Sequence, residues 1–428
     1  MTFMPPLKSL EELAAHQLTG LQWTVDHAYH GSEHYRAKLD QAGVKPGDIK
    51  SLDDLGKLPF TSAEDLRTGY PFPLLSVPMS EVVRIHASSG TTGKRKVLCY
   101  SKKDIQDWAH MFARCYEIAG LSKEDRVQIA VGYGVWTAGV GFQLGCENFG
   151  ALAVPIGPGN LDMQCQFLVD FQPTVMCCTS SMALLLSEEI KRRELSDKHR
   201  VKKIIYGSER TSEAMRKRII EGLGGVELFD IPGLTELYGP GTGLECQVHQ
   251  GIHYWADYYI LEILNPITLE PVPPGELGEM VVTTLCKEAA PLIRYRTRDL
   301  TRLLPEPCPC GCLMPRHDRI LGRSDDMIIF RAVNIYPGQI DHVLSHSPGI
   351  GSEYQIILDN RDDGKDYMTI KVERAEDAPP DDDAKTAQIV AKGVKAEVLV
   401  SPQVELVDYG TLPRSDRKSK RVFDHRFE

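Results

Sequence analysis

The chain of 428 residues has no long, unbroken apolar run. Its most apolar stretch, 129–146, contains five glycines together with Gln143 and Trp136. A membrane-spanning helix needs about 20 mostly apolar residues in succession, so this stretch is too broken to be one. The first residues, 1–6, also lack a basic segment followed by an apolar one, and we expect no secretory signal. Both absences predict a cytoplasmic protein with no membrane partner.

Long blocks of like charge and internal repeats are absent as well. The 49 basic and 59 acidic residues give a net charge of −10 that is spread along the chain. This distribution argues against a nucleic-acid partner. Eleven cysteines are present, and without a secretory leader we favour reduced thiols or metal ligands over disulfides. A chain of this length is too long to fold around a single hydrophobic core, so two or three domains are expected.

The middle of the chain alternates between strand and helix patterns, which predicts a parallel sheet covered by helices. Before it, residues 8–43 have helical spacing. After Gly233 the pattern becomes strand-rich, with strands predicted over 254–264, 278–284 and 292–296. The polar segment 322–326 is a predicted boundary, and the remainder, 327–428, is predicted to hold two or three strands and two helices. The sequence therefore indicates an α/β fold in which a large domain, 1–322, carries a β-rich subdomain and is followed by a small α+β domain, 323–428. The predicted strands of the sheet begin at Val127, Ala151, Val175, Lys203 and Val226.

A run of small polar residues joins two strand patterns, 82–85 and 97–100, and predicts the loop of a hairpin. Its backbone N–H groups and hydroxyls are suited to bind a polyphosphate. A Walker A loop is excluded, because serine at position 88 and arginine at position 95 break that motif. An ordinary polar turn is the alternative. The loop consists of Ser88, Ser89, Gly90, Thr91, Thr92, Gly93 and Lys94.

Further polar segments follow predicted strands, where open α/β sheets bind their ligands. Each segment alone is more often a solvated loop than a site. They comprise 207–209, 230–236, 294–299 and 322–326.

In their order, these segments resemble the adenylate-forming superfamily of acyl-CoA synthetases, and most closely the phenylacetate–CoA ligases. The resemblance extends over almost the whole chain. It implies the adenylate-forming fold with a mobile C-terminal domain, and ATP, Mg²⁺ and CoA as cofactors or co-substrates. The matching segments are Ser88–Lys94, Asp230–Glu236 with Gly239–Gly241, Leu292–Asp299, Gly322–Met327 and Leu412–Lys418.

The reaction implied by the resemblance has two steps. An aromatic carboxylic acid attacks the α-phosphate of ATP and releases pyrophosphate, and the thiol of CoA then takes the acyl group and releases AMP. Because the first step brings two anions together, cations and fixed donors must gather at the phosphate.

The resemblance also implies roles for individual residues. The Ser88–Lys94 loop would hold the β- and γ-phosphates, Thr235 the α-phosphate and Glu236 the Mg²⁺ ion. Asp299 would accept hydrogen bonds from the ribose, reinforced by Arg323. For Glu236 and Asp299 the alternative is a solvated loop. The remaining predicted nucleotide-binding residues are Gly207, Ser208, Glu209, Asp230 and Ile231.

Two positions in the C-terminal part complete this interpretation. Lys418 resembles the catalytic lysine that bridges the substrate carboxylate and the α-phosphate, with Lys420 as the second choice. A basic surface stretch is the alternative. Asp325 resembles the hinge residue about which the small domain turns.

Aromatic residues among glycines indicate a flat pocket for the acid. The candidates are Tyr133, Trp136 and Phe142, in a segment that is alternatively the start of a core helix.

The tight turn 308–312 places three cysteines near each other in sequence, after a strand-rich segment with one more cysteine and two histidines. Two cysteines one residue apart plus a distant Cys and His suit a tetrahedral zinc site. Some phenylacetate–CoA ligases carry such a Cys-Pro-Cys-Gly loop and a His two residues before a Trp, as at 253–255. The predicted ligands of a structural zinc ion are Cys246, His253, Cys308 and Cys310, with Cys312 and His249 as alternatives and reduced thiols without metal as the other interpretation.

Two positions depart from the family pattern: Pro232 stands where many members have an aromatic residue, and Ala332 where a glycine is usual. Two other functions therefore stay open. In the first, the enzyme adenylates its substrate and passes it to an acceptor other than CoA, or it adenylates a cofactor such as a deazaflavin. In the second, the chain is a non-catalytic ATP-binding protein. A homodimer is expected from the resemblance alone.

Overall fold

A computed structural model describes residues 2–88, 95–209, 211, 213–331, 333–360, 365–413 and 421–426 of the chain. Within these ranges no helix combines the length and the apolar character needed to cross a bilayer.

The N-terminal segment forms two helices where the sequence predicted one helical run over 8–43. The chain turns at Ser32, whose hydroxyl caps the second helix by accepting from the Tyr35 N–H group. The first helix packs on the β-rich part of the molecule, and the Thr24 hydroxyl donates to the Thr284 carbonyl at 2.7 Å. The helices are α1 (Leu10–Gly31), α2 (Glu33–Gln41) and α3 (Ala63–Thr68).

The predicted hairpin is present: β1 (Val82–Ala87) and β2 (Val97–Ser101) pair antiparallel. Helix α4 (Lys102–Ile118) follows directly, because Ser101 and Asp104 form a capping box at its start.

The alternating middle of the chain forms a five-stranded parallel sheet in the order β4-β3-β5-β6-β7, as predicted. Its two faces are both covered, and one buried cluster lies on each. The carboxyl ends of the strands therefore meet at one edge. The elements are β3 (Arg126–Ala130), α5 (Ala138–Phe149), β4 (Leu152–Pro155), α6 (Leu161–Asp170), β5 (Val175–Thr179), α7 (Ser180–Arg192), β6 (Lys203–Gly207), α8 (Glu213–Gly222) and β7 (Glu227–Ile231).

The strand-rich part contains two four-stranded sheets, ordered β10-β11-β16-β15 and β12-β13-β14-β17. The prediction of one continuous strand over 254–264 was wrong, because one strand ends at Tyr254 and the next begins at Tyr259. The chain turns at Trp255, whose indole N–H donates to the Gly241 carbonyl at 2.7 Å. The strand predicted over 292–296 begins later, at Tyr295. The elements are β8 (Gly233–Leu234), β9 (Gly239–Pro240), β10 (Gly243–Glu245), β11 (Ile252–Tyr254), β12 (Tyr259–Leu264), β13 (Gly278–Thr284), β14 (Tyr295–Thr301), β15 (Leu303–Leu304), β16 (Arg316–His317) and β17 (Gly322–Arg323).

The C-terminal part has its own buried cluster, formed by residues from Ile328 onward. Its main sheet has the order β22-β21-β20-β23, and it contains more strands than the two or three that the sequence predicted. The elements are β18 (Ile328–Phe330), β19 (Val333–Ile335), α9 (Pro337–Ser345), β20 (Ile350–Asn360), β21 (Asp366–Arg374), α10 (Asp383–Val398), β22 (Gln403–Val407) and β23 (Val422–Asp424).

Candidate active site

Glu236 lies in the turn between β8 and β9, directly after Thr235, and only 2% of its side chain is exposed. Its Oε1 accepts a 2.9 Å hydrogen bond from the Tyr295 hydroxyl and pairs with the Lys96 ammonium. Burial alone raises the pKa of a carboxyl. Here the Lys96 charge and the two hydrogen bonds outweigh burial, so the pKa of Glu236 is lowered. The side chain is therefore an ionised carboxylate at neutral pH, the form that binds Mg²⁺.

Lys96 also joins Glu236 to the predicted phosphate loop. The Ser88 N–H donates to the Lys96 carbonyl at 3.0 Å, and the Lys96 N–H donates to Ser88 Oγ at 3.3 Å. These two bonds close the hairpin, so the base of the loop lies beside the predicted magnesium carboxylate. The rest of the loop, 89–94, is outside the described residues.

A buried lysine, Lys287, holds the Thr235–Glu236 turn through a hydrogen bond. The Lys287 side chain is completely buried, and its Nζ donates to the Glu236 carbonyl at 3.0 Å. It lies 4.7 Å and 4.9 Å from the ring centroids of Tyr100 and Tyr238. Burial lowers the pKa of Lys287 to about 8. The Tyr100 hydroxyl also donates to the carbonyls of Thr235 and Tyr238, at 3.1 and 2.8 Å. The turn is therefore held by fixed donors.

Asp299 and Arg323 are register partners on β14 and β17. Arg323 Nη1 donates to Asp299 Oδ1 at 3.0 Å, and the same guanidinium binds both oxygens of Asp325 at 2.8 and 2.9 Å. Burial raises the pKa of Asp299 to about 6; Arg323 opposes this shift, and the Glu236 charge adds to it. The charge of Glu236 therefore influences Asp299, and Arg323 links Asp299 to Asp325, the predicted hinge residue.

The predicted nucleotide-binding residues Gly207, Ser208 and Glu209 lie at and just after the end of β6, and each has a different structural role. Gly207 has no room for a side chain, since a Cβ would lie 2.3 Å from the Ile231 carbonyl oxygen. The Glu209 carboxylate accepts from the Ser181 N–H at 2.6 Å and from its hydroxyl at 2.8 Å, at the start of α7. Ser208 adopts a left-handed backbone conformation with φ of 74°. Thus Glu209 stabilises a helix terminus, whatever else it contacts.

Asp230 belongs to a partly buried network of charges around the fully buried Glu245. Burial and the neighbouring Glu245 raise the pKa of Asp230 to about 7, against the opposing charges of Arg319 and Arg216. Arg319 Nη2 donates to Glu245 at 2.9 Å, and its Nε lies 3.9 Å from Asp230.

The three aromatic residues predicted to form the acid pocket divide into two groups. Tyr133 and Trp136 are half-buried, and their rings pack over Gly139 and Gly132. The Tyr133 hydroxyl is buried and has no hydrogen-bond partner among the residues that the structure describes. Phe142 is buried with its ring centroid 5.0 Å from that of Phe112. Its contacts favour the core alternative for Phe142, and the pocket stays a prediction.

The chain matches two family models in succession: "AMP-binding enzyme" over residues 20–286 and "AMP-binding enzyme C-terminal domain" over residues 332–426. Phenylacetate–coenzyme A ligase of Escherichia coli K12 is 42% identical over 98% of this chain and 96% of its own length. The enzyme of that name from Thermus thermophilus is 40% identical over 100% of both chains. This chain belongs to the phenylacetate–CoA ligase family of AMP-binding enzymes. The family, the fold class and the enzyme class, an AMP-forming acid–thiol ligase, are confirmed.

Solved structures agree with the family. A 2-hydroxyisobutyryl-CoA ligase in its postadenylation state is 27% identical and superposes with a TM-score of 0.88 over 99% of this chain and 94% of its own. The same protein in its thioesterification state, 28% identical, gives a TM-score of 0.71 over 99% of this chain and 91% of its own. The ligase described here thus superposes better on the postadenylation state of that protein than on its thioesterification state.

The four predicted zinc ligands come together in this ligase. Their ligand atoms all lie within 4.8 Å of one another. Cys246 Sγ is 3.6 Å from Cys308 Sγ, and Cys310 Sγ is 3.3 Å from His253 Nε2. His253 Nδ1 is 2.7 Å from the Met314 carbonyl, which places the proton on Nδ1 and leaves Nε2 free to bind a metal.

The two alternative ligands lie outside this cluster. His249 faces carboxylates instead, with Nε2 3.2 Å from Glu227 and Nδ1 3.5 Å from Glu245. The Cys312 N–H donates to Cys310 Sγ at 3.4 Å, a contact that stabilises negative charge on that sulfur.

Sequence reasoning missed both lysines at Glu236. Lys287 gave no signal, because a buried lysine has the same sequence appearance as a solvated one. Lys96 gave a weak one, since it follows the phosphate loop by two residues. Of the predicted residues, Lys418, Lys420 and Ala332 lie outside the described ranges.

Proposed function

We propose that this ligase is an ATP-dependent aryl acid–CoA ligase. The carboxylate reacts with ATP to give an acyl adenylate and pyrophosphate, and CoA then takes the acyl group and releases AMP. The observation that carries the proposal is the ionised, buried Glu236 paired with Lys96 at the base of the predicted phosphate loop. The charge of Glu236 also raises the pKa of Asp299, the predicted ribose carboxylate. Full-length similarity to phenylacetate–coenzyme A ligases of three further bacteria besides Escherichia coli supports it.

The main obstacle in the first step is repulsion between the acid and the triphosphate. Glu236 and Thr235 are the residues that would hold Mg²⁺ and the α-phosphate, and bound Mg²⁺ would neutralise phosphate charge. Tyr295, Lys96 and Lys287 fix the position and the ionised state of Glu236 before ATP arrives. Such preorganised charges need no rearrangement during the reaction.

We assign Lys418 as the cation that bridges the acid and the α-phosphate. Lys418→Ala should abolish adenylate formation and leave thioester formation from a supplied acyl adenylate largely intact. Loss of both half-reactions together would refute this division.

The proposed substrate is an aromatic acid bound near Tyr133 and Trp136. Two half-buried rings beside glycines provide a flat, partly apolar surface for an aryl group. Phenylacetate is the first candidate, because it is the substrate named for the curated relatives.

One assay tests the function: acid-dependent pyrophosphate release with and without CoA, over a panel of aryl acids. We expect pyrophosphate release that requires an aryl acid, with acyl-CoA and AMP accumulating when CoA is present. Pyrophosphate without acyl-CoA would indicate another acceptor, such as a deazaflavin cofactor. No pyrophosphate with any acid would indicate a non-catalytic ATP-binding protein.

We further propose that Cys246, His253, Cys308 and Cys310 bind a structural zinc ion. Three thiols and an imidazole nitrogen match the donor set of such sites, and the Met314 carbonyl orients the imidazole. A site with four protein ligands leaves no position open for catalysis. Protein purified without added zinc should contain one equivalent, and Cys308→Ser should lower both the zinc content and the melting temperature. Absence of stoichiometric metal would contradict the assignment.

The domain division at residue 322, the hinge at Asp325, the cytoplasmic location and the homodimer remain predictions.

A further inference from the structure

A polar cluster joins the large N-terminal part to the C-terminal sheet. Arg218, on α8, donates to Ser352 Oγ at 2.6 Å and to Glu188 Oε1 on α7 at 2.8 Å, and its guanidinium also binds the Tyr409 hydroxyl. The Tyr409 hydroxyl donates to the same Glu188 oxygen at 2.7 Å, and its ring centroid lies 4.9 Å from the guanidinium carbon. Arg218 therefore contacts two separate segments of the C-terminal part.

Those two segments flank the stretch that carries Lys418. Tyr409 lies nine residues before Lys418 in the sequence. Between them, Leu412 is buried, and its N–H donates to Glu373 Oε1 at 2.8 Å. On the far side, Arg421 resumes the described chain, and its carbonyl accepts from the Ile356 N–H at 2.7 Å on β20. Hydrogen bonds therefore fix described residues on both sides of the lysine segment, whose residues 414–420 lie outside the described ranges.

Ser352 connects the second of these points to Arg218. The pairing of β20 with β21 is irregular between Ile350 and Tyr354, and Ser352 lies in this irregularity. The next residue, Glu353, is buried and lies 3.3 Å from Arg421 Nη1, and the Arg421 guanidinium stacks 4.5 Å from the Tyr354 ring centroid. Arg218 therefore contacts Tyr409, before the lysine segment, directly. It is linked to Arg421, after that segment, through Ser352, whose carbonyl accepts from Arg421 Nη1 at 3.4 Å.

Comparison with a solved relative indicates to which step of the reaction these contacts belong. The structure superposes better on the postadenylation state of the solved 2-hydroxyisobutyryl-CoA ligase than on its thioesterification state. The contacts of Arg218 across the boundary are therefore part of a structure that is more similar to the postadenylation state.

We propose that Arg218 is a positioning residue for the adenylation half-reaction: it holds both flanks of the Lys418 segment against the large domain. This inference rests on the proposed function and on the role assigned to Lys418. Arg218 itself touches no reacting atom in the proposal; it raises the fraction of molecules in which the lysine is in place.

The test compares Arg218→Met with the wild type in each half-reaction. Methionine keeps an unbranched apolar stem against Tyr409 and removes the charge and its hydrogen bonds. We expect acid-dependent ATP–pyrophosphate exchange to fall about tenfold in kcat, as the loss of one or two charged hydrogen bonds allows. Thioester formation from a supplied acyl adenylate should be unchanged or faster. The KM for the acid should stay within about twofold.

Three further variants make the result specific. Lys217→Met, at the neighbouring and exposed position on α8, should leave both half-reactions unchanged. Arg218→Lys should recover part of the exchange activity. Tyr409→Phe removes a single hydroxyl and should lower exchange about threefold, and it carries the test if Arg218→Met does not fold.

Equal loss of both half-reactions in these variants, or no loss in either, would overturn the proposal. A wild-type protein without pyrophosphate release would instead refute the proposed function, so the two failures are distinguishable.

Discussion

Replacing Lys96 with methionine should destabilise the protein through Glu236. The pair is largely buried, with 20% of the Lys96 side chain and 2% of the Glu236 side chain exposed. Removing one partner of a buried ion pair costs about 3–5 kcal/mol, because an uncompensated charge is left behind. We expect about 3 kcal/mol, since Lys96 is partly solvated and Lys287 remains near the same carboxylate.

The pH dependence of this loss has a definite sign. In the wild type the pKa of Glu236 is lowered, so its contribution to the unfolding free energy is present above the unfolded pKa, about 4.3, and is lost as pH falls through the folded pKa. In Lys96→Met burial dominates and raises the pKa of Glu236, so the carboxyl takes up a proton on mild acidification. The difference between the two proteins should therefore be largest near pH 8 and shrink toward pH 5.

Urea unfolding followed by tryptophan fluorescence measures the effect, because Trp108 and Trp255 are both buried in the main core. The Lys96→Met/Glu236→Gln double variant should recover most of the lost stability, since the unpaired charge is gone. Arg95→Met, at the exposed neighbouring position, should match the wild type. A double variant no more stable than Lys96→Met, or a stable Lys96→Met, would refute the reasoning.

Three other predictions follow from single groups. The KM for ATP should rise as pH falls below about 6, because protonated Asp299 no longer accepts hydrogen bonds from two ribose hydroxyls. Asp299→Asn should have a higher KM for ATP that varies little with pH. Initial rates of pyrophosphate release measure both. Lys287 has a lowered pKa, so the unfolded chain binds more protons above pH 8 and the wild type should gain stability between pH 8 and 9.5; Lys287→Met should lack that gain in urea titrations. Arg114 binds Asp257 through two hydrogen bonds of 2.7 and 2.8 Å with both side chains buried, and Arg114→Met should cost about 3–5 kcal/mol of unfolding free energy, with a smaller loss when Asp257 is replaced by Asn as well.

The parallel sheet was predictable from the sequence because its strands are buried on both faces. Such strands appear as continuous apolar runs between helical patterns, as at 127–131 and 175–178. The interruptions were harder to predict. Ser32 divides the N-terminal helix by capping its second half, and Trp255 ends a strand through a hydrogen bond to a residue 14 positions away. These effects depend on tertiary contacts that a local pattern does not contain.

The candidate site was predictable to the extent that its residues lie in short motifs. The motif around Glu236 and the paired Asp299 and Arg323 were identified from their order along the chain. Lys96 and Lys287 were missed, because what distinguishes them from surface lysines is the carboxylate and carbonyl they meet after folding. For the cysteine cluster, Cys-x-Cys spacing indicated the loop, and the resemblance to family members with a His two residues before a Trp selected His253 over His249. The structural reason is β11, which carries His253 to the thiols.

A crystal structure of the ligase with a non-hydrolysable aryl-acyl adenylate analogue and Mg²⁺ would test the central claim most directly. We expect the ribose hydroxyls on Asp299, the phosphate beside Thr235, the metal on Glu236, and Lys418 within hydrogen-bond distance of the bond between acyl group and phosphate. An adenylate bound elsewhere, or a Glu236 carboxylate remote from both the metal and the phosphate, would contradict the account.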